Sequence, residues 1–240
     1  MQRLMQVREV RAAPGVVCPD CPALHDGTVF GALLPTRPGT CAFRCASLAA
    51  REAIPQRWLE YGFGLVRRGV LIRQRVDGSG RATAIDAAGP GCLFPLAPWG
   101  GPSAVAAAAV FGYAAIDSLV CLCPSETLRA AAGGDATLAM DLARLQRLAL
   151  ERVERIAEAR GRSKAAARIA STLGALADTL SPGRTCEQLP ADLQQKDIAA
   201  LSAVRHEAVC RVLGGLVKRG VVARSRDGLR ILDRAQLDAM

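Results

Sequence analysis

The sequence predicts an α+β protein, with an N-terminal antiparallel β-roll, a long dimerisation helix and a C-terminal winged helix-turn-helix. Three observations carry this. Short apolar runs between 61 and 122 are punctuated by Gly and Pro turns. An apolar seam at helical spacing runs from Thr137 to Arg160. Two short amphipathic segments, 193–201 and 203–213, stand close together ahead of a basic hairpin.

Composition bounds the possibilities. At 240 residues the chain has room for one large or two modest domains, and half of its residues are apolar, which excludes a disordered chain. The net charge of +9 comes from 31 Lys and Arg against 22 Asp and Glu, most of the basic residues being Arg. That balance suits an anionic partner without establishing one. Residues 1–10 carry no signal-peptide core, and the apolar runs near 64–72 and 104–115 are too short or too interrupted to span a bilayer. The expectation is a cytoplasmic protein with no membrane partner. In that compartment nine cysteines do not form a disulfide framework; they are small buried hydrophobes, or for a subset metal ligands and redox thiols.

In chain order, residues 1–30 read as a Pro- and Gly-punctuated arm containing Cys18-Pro19-Asp20-Cys21. Cys41-Ala42-Phe43-Arg44-Cys45 suits either a strand or the start of a short helix. From Tyr61 the texture is β: Phe63–Val70 and Leu71–Val76 lie around Gly69, Asp77-Gly78-Ser79-Gly80 is a turn, and Ala82–Ala87 is the partner strand. Ser118–Leu122 is a last strand, closed by Pro124. Many short strands with such turns favour a small antiparallel barrel or roll over a parallel sheet.

Leu138, Leu142, Leu145, Ala149, Val153 and Ile156 then recur at spacings of three and four. Such a seam suits a helix from a second copy of the chain. The alternative is a helix packed only on its own domain, and Leu148 and Leu150 leave room for both. Arg160-Gly161-Arg162-Ser163 breaks the pattern, with Ser163 as N-cap of a helix through Ala165–Leu180. Lys218-Arg219-Gly220 ends the second helix of the helix-turn-helix with a Gly stop. Val221–Arg224 and Leu229–Leu232 flank Ser225-Arg226-Asp227-Gly228 as a hairpin, the wing.

This order of parts resembles the Crp/Fnr family of bacterial transcription regulators over about residues 61–240. Ser163 and Arg168-Ile169-Ala170, the stretch Leu193–Gly220, and Leu119-Val120-Cys121 through Glu126-Thr127-Leu128 carry the resemblance. It implies an arm over 1–30, a cyclic-nucleotide-binding-like roll over 31–132, a dimerisation helix over 133–160 and a DNA-binding domain over 161–240. Two positions depart from the family: Gln194 stands where Thr is usual, and Ala203 holds a turn position usually given to Gly.

The resemblance implies base reading by Glu207, Cys210 and Arg211. Arg grips guanine O6 and N7 in bidentate fashion, and Glu accepts from a cytosine amino group. Cys210 is a weak donor that at most touches a thymine methyl. Arg205 and His206 are further candidates for base or phosphate contacts, while Gln194, Gln195, Lys196 and Arg226 position the DNA backbone. The bland alternative for each is a solvated helix face. A homodimer on double-stranded DNA would bind an inverted repeat, half-sites about one helical turn apart, with RNA polymerase as a further partner.

Where cyclic-nucleotide-binding relatives place a phosphate cassette, this chain has Gly91–Leu96 and Gly100–Val105, without the Glu for the ribose or the Arg for the phosphate. A buried cyclic phosphate would go unpaired, so no cyclic nucleotide is expected. Cys18-x-x-Cys21 and Cys121 are similar to part of the ligand set of the oxygen-sensing, Fnr-like branch, which implies a [4Fe–4S] cluster. The branch's third cysteine, shortly after the pair, is missing; Cys41, or Cys45 in its place, would complete the set. A zinc or thiol switch, or no metal, are the alternatives. Hydrolase or kinase motifs are absent and no enzyme is expected. The remote enzymatic reading, a thiol–disulfide oxidoreductase using Cys18 and Cys21, fits poorly because Pro19 and Pro22 spoil a helix start. A regulator that senses nothing, its roll serving only dimerisation or partner docking, is the rival reading.

Overall fold

The computed structural model describes residues 44–96, 111–124, 133–134, 136–180 and 187–240. The chain divides into two compact units, residues 1–70 with 89–149 and residues 71–88 with 150–240.

In the first unit, strands β1 (Arg44–Leu48), β2 (Tyr61–Arg68), β5 (Leu93–Pro95) and β7 (Ser118–Pro124) form an antiparallel sheet in the order β1-β7-β2-β5. Of the 41–45 stretch, the described residues Arg44 and Cys45 are strand. Alternation sets the register: Ala46 faces Val120 and Val120 faces Val66 on one side, while Cys45, Cys121 and Leu65 share the other. Both sides are covered, because Val66 and Val120 are fully buried and so, nearly, are Phe63, Leu65, Cys121 and Cys123. Pro124 closes β7, where a missing N–H ends a ladder at little cost. Strand β6 (Phe111–Ala114) meets the 51–54 segment through backbone bonds such as Ala114 N–H to Glu52 O, 2.9 Å.

The second unit begins with a hairpin of β3 (Leu71–Val76) and β4 (Ala82–Ala88), joined by the turn expected from its sequence. Asp77 makes that turn: its Oδ1 accepts from the N–H groups of Ser79 and Arg81 at 2.9 and 3.0 Å. These bonds hold the Asp77 carboxyl below its ordinary value, the Ser79 side chain contributing most. On β4, Asp86 is fully buried, and Arg73 grips it with Nε and Nη2 at 3.1 and 2.9 Å. Arg152 adds a second guanidinium, 3.7 Å from Oδ2. A buried carboxylate persists only with such partners.

Helix α1 covers Ala136–Gly161 and α2 covers Ala165–Leu180. The break between them sits where Gly161 and Arg162 place it, but the residue before α2 is Lys164, whose carbonyl accepts from Arg168 N–H. Ser163 therefore lies one position too early for the cap. The seam of α1 is already covered by its own chain: Leu142, Leu145, Ala149 and Ile156 are buried, while Met140, Leu148 and Leu150 stay exposed. The sequence could not say which surface the seam would meet.

The remainder comprises a short strand β8 (Gln188–Pro190), helices α3 (Gln195–Ser202) and α4 (His206–Lys218), strands β9 (Val222–Ser225) and β10 (Gly228–Ile231), and a last helix α5 (Arg234–Asp238). Its core is Ile169, Leu173, Leu176, Ile198, Leu201, Val209, Leu213, Leu216 and Leu237. Arg160, on the last turn of α1, donates to the carbonyls of Ala84, Ala200 and Leu201. Two of these are orphan carbonyls at the end of α3, so one guanidinium satisfies that helix end and ties β4 to it. Burial pushes the Arg160 guanidinium down from its ordinary value. Arg234 is a second hub, bonded to Asp178, Glu187 and Asp238 at 2.9–3.1 Å, with Asp178 the main cause of its raised value.

A candidate DNA-reading surface

The surface is built from the start of α3, the turn after it, α4 and the wing. At Gln194 the backbone N–H donates to Asp197 Oδ2 at 3.0 Å, the reciprocal half of a capping box. Asp197 is fully buried for that purpose, and the arrangement leaves Gln194 and Lys196 exposed at the helix start. Helix N-termini carry free N–H groups and a positive dipole end, and these two residues flank that end.

Ala203 makes the turn. Its φ of 52° and ψ of 46° are left-handed, which explains why Gly is the more comfortable residue there. Val204 N–H donates to Ala199 O at 3.1 Å and Ser202 Oγ to Ile198 O at 2.6 Å, so the chain closes α3 before α4 begins at His206. The turn is strained and fully bonded.

Helix α4 buries one stripe, Val209, Leu213 and Leu216, at spacings of four and three. Arg205, His206, Glu207, Cys210 and Arg211 are all exposed, with Glu207 and Arg211 directly opposite that stripe. Glu207 and Arg211 lie one turn apart, on one line of the helix. Cys210 has partners within the chain. Its thiol donates to Gln195 Oε1 at 2.8 Å and lies 3.7 Å from His206 Nε2, so it links the start of α3 to α4. Gln195 is half-buried there, its Oε1 accepting from the Cys210 thiol.

Helix α4 stops as the sequence indicates. Gly220 has φ 70°, its N–H donates to Val217 O and Val221 N–H donates to Leu216 O, the paired bonds of a Schellman stop. The wing is tighter than the sequence suggests. Ser225 and Gly228 pair with each other, leaving a two-residue turn, Arg226-Asp227. Gly228 has φ 133°, and a Cβ there would fall 1.8 Å from Leu189 O, because β8 runs against β10. This third strand, in the order β8-β10-β9, was not foreseen. Arg226 is exposed at the tip, and Arg224 and Arg230 are exposed beside it. These two were missed, although their alternation with apolar neighbours could have marked them.

The cysteines divide. Cys18, Cys21 and Cys41 lie outside the described residues, as do His25, Cys186 and the 100–105 stretch. Cys45 and Cys121 are brought together, facing one another on β1 and β7 with their Sγ atoms 3.4 Å apart. Of the cysteines expected as cluster ligands, this pair is the part that falls among the described residues. Among the described residues no group of three or more His, Cys, Asp or Glu is placed to hold a metal ion, and no helix is long and apolar enough to cross a membrane.

Comparison with known proteins agrees with this architecture. Residues 167–240 match the Crp-like helix-turn-helix domain. Among solved structures the chain is similar to FixK2 from Bradyrhizobium japonicum, with 23% identity over 82% of this chain and 96% of that one, TM-score 0.66. It is also similar to TTHA1359, a CRP/FNR-family transcriptional regulator from Thermus thermophilus, with 22% identity over 82% and 97%, TM-score 0.53. A CooA mutant from Carboxydothermus hydrogenoformans has 13% identity over 89% and 95%, TM-score 0.63. No curated protein matches the chain. The chain has the fold of the solved Crp/Fnr-family regulators, and its residues 167–240 match the Crp-like helix-turn-helix domain.

Proposed function

We propose that the chain is a homodimeric transcription regulator that reads an inverted repeat in double-stranded DNA through α4. The observation that carries this is the division of that helix. Val209, Leu213 and Leu216 anchor it, while Arg205, His206, Glu207 and Arg211 face outward together. Arg211 and Glu207 read base edges. Gln194, Gln195, Lys196 and Arg226 hold phosphates, with Arg224 and Arg230 beside them on the wing. Cys210 orients Gln195 rather than touching a base.

In functional terms the parts are an arm over 1–30, a roll over 31–132, a dimerisation helix over 133–160 and a DNA-binding domain over 161–240. Exposed Met140 and Leu148 on α1 support pairing with a second copy, since an apolar stripe in water favours burial. Two helix-turn-helix units in such a pair would engage half-sites about one DNA turn apart.

Selection of bound duplexes from a randomised pool tests the reading. An enriched inverted repeat of that spacing, bound by a dimer in light scattering, is the expected result. Enrichment of a single unpaired half-site, or none at all, would contradict it. Bound affinity should also fall steeply with salt, as phosphate neutralisation requires.

A further inference from the structure

We propose that Cys45 and Cys121 form a reversible dithiol–disulfide site that exchanges with small-molecule disulfides of the glutathione class. The inference is independent of how α4 reads DNA. It rests on register, distance, charge and access.

Cys45 on β1 and Cys121 on β7 are direct cross-strand neighbours, on the face opposite the Ala46–Val120 pair. Their sulfurs stand at 3.4 Å, inside the sum of their van der Waals radii, across 76 residues of chain. A disulfide bond of about 2.05 Å therefore needs the sulfurs to close by only about 1.4 Å, a side-chain adjustment within one register pair. A tetrahedral zinc would hold two thiolates about 3.8 Å apart, with bonds of about 2.3 Å, but it also needs two further ligands. A disulfide needs none.

The two thiols differ in a way that assigns an order. Cys121 is only 6% exposed, whereas Cys45 is half-buried on an edge strand of the sheet. From β2, on the far side of β7, Arg67 Nη1 donates to Cys45 Sγ at 3.9 Å. A guanidinium there favours the thiolate, which is the nucleophile in exchange. Cys45 is the attacking residue and Cys121 the resolving one.

The chemistry balances. Cys45 loses its proton to solvent and its thiolate attacks one sulfur of the small disulfide. That S–S bond breaks, leaving a mixed disulfide on Cys45 and releasing one thiolate, which takes up a proton. Cys121 then loses its proton and attacks Cys45 Sγ, displacing the second small thiol. Two protein thiols are oxidised and one external disulfide is reduced to two thiols; excess thiol reverses both steps. The product would staple edge strand β1 to β7.

The test uses the full chain, reduced and then equilibrated with glutathione disulfide and glutathione over a range of ratios. After acid quenching and thiol alkylation, peptides are mapped by mass spectrometry, and metal content is measured on the protein as purified. The expected result is a linked Cys45–Cys121 peptide pair, two hydrogens lighter than its parts, that disappears when glutathione is in excess. Cys121→Ser should instead trap glutathione on Cys45, and Arg67→Gln should slow linkage several-fold. Wild-type mapping decides the matter if either variant fails to fold. Three results would overturn the proposal: both cysteines alkylated at every ratio while exposed Cys210 is modified, Cys121 linked to Cys18, Cys21 or Cys41 instead, or bound zinc or iron that protects the pair until it is chelated.

Discussion

Helices α2 and α4 belong to one small domain and are of similar length, yet they are built to opposite purposes. In α2, Ala165–Leu180, nine residues are buried, from Ala167 through Ala177, and the side chains are small or aliphatic nearly all round. In α4, His206–Lys218, only Val209, Leu213 and Leu216 are buried. A helix covered on most sides is structural, because its neighbours leave no face for anything else. A helix with one narrow anchored stripe keeps its charged face for a partner. Loss of a side chain should therefore be felt as stability in α2 and as DNA affinity in α4.

Substitutions can break that comparison. The largest expected effect is at fully buried Leu173: Leu173→Ala should cost about 3 kcal/mol of unfolding free energy, read by denaturant melts, and reduce DNA binding only through the unfolded fraction. Arg211→Ala comes next. It should weaken binding to the selected operator by about 2 kcal/mol, roughly 30-fold, and relax preference at one base pair, while the melt is unchanged within about 0.5 kcal/mol. An Arg211→Ala protein that melts early but binds normally would reverse the roles of the two helices.

Smaller effects sharpen the comparison at the edges of α4. Ala203→Gly should raise stability by about 1 kcal/mol, because the left-handed turn is strained for alanine and free for glycine. Lys196→Ala should leave the melt alone and weaken binding to all sequences alike, lowering the slope of log affinity against log salt by about one.

Much of this was legible in the sequence where local chemistry decides the structure. Helix α2 has the bounds its pattern suggested, Gly220 stops α4, and Asp77-Gly78-Ser79-Gly80 turns the β3–β4 hairpin. Each depends on residues within a few positions of one another. What escaped depends on distant partners. Strand β8 is three residues ending in Pro190 and is a strand only because β10 lies beside it. The wing turn narrowed to Arg226-Asp227 because Ser225 and Gly228 pair under that same constraint. Helix α5 is short and starts from an Asp233 cap that accepts from Gln236 N–H, a signal weaker than any periodic run.

The candidate sites divide on the same principle. That Glu207 and Arg211 share one exposed face of α4 followed from helical spacing, while their reading of bases is what the family resemblance implies. The bond of Cys210 to Gln195 did not follow from spacing, since it crosses the turn between two helices. Cys45 and Cys121 were singled out as thiols, but their contact is a matter of strand register across 76 residues. Nor does an apolar seam announce whether it meets its own chain or a second copy: Leu142, Leu145, Ala149 and Ile156 of α1 are buried within the chain, while Met140 and Leu148 stay exposed.

The most direct test of the central claim compares operator affinity and melting temperature for the wild-type chain, Glu207→Ala and Arg211→Ala, measured on the same preparations. The account expects tight, salt-sensitive binding by the wild type, a loss of roughly 30-fold in Arg211→Ala, a similar loss in Glu207→Ala, and three coincident melts. Equal affinity across the three proteins would show that α4 does not read the DNA.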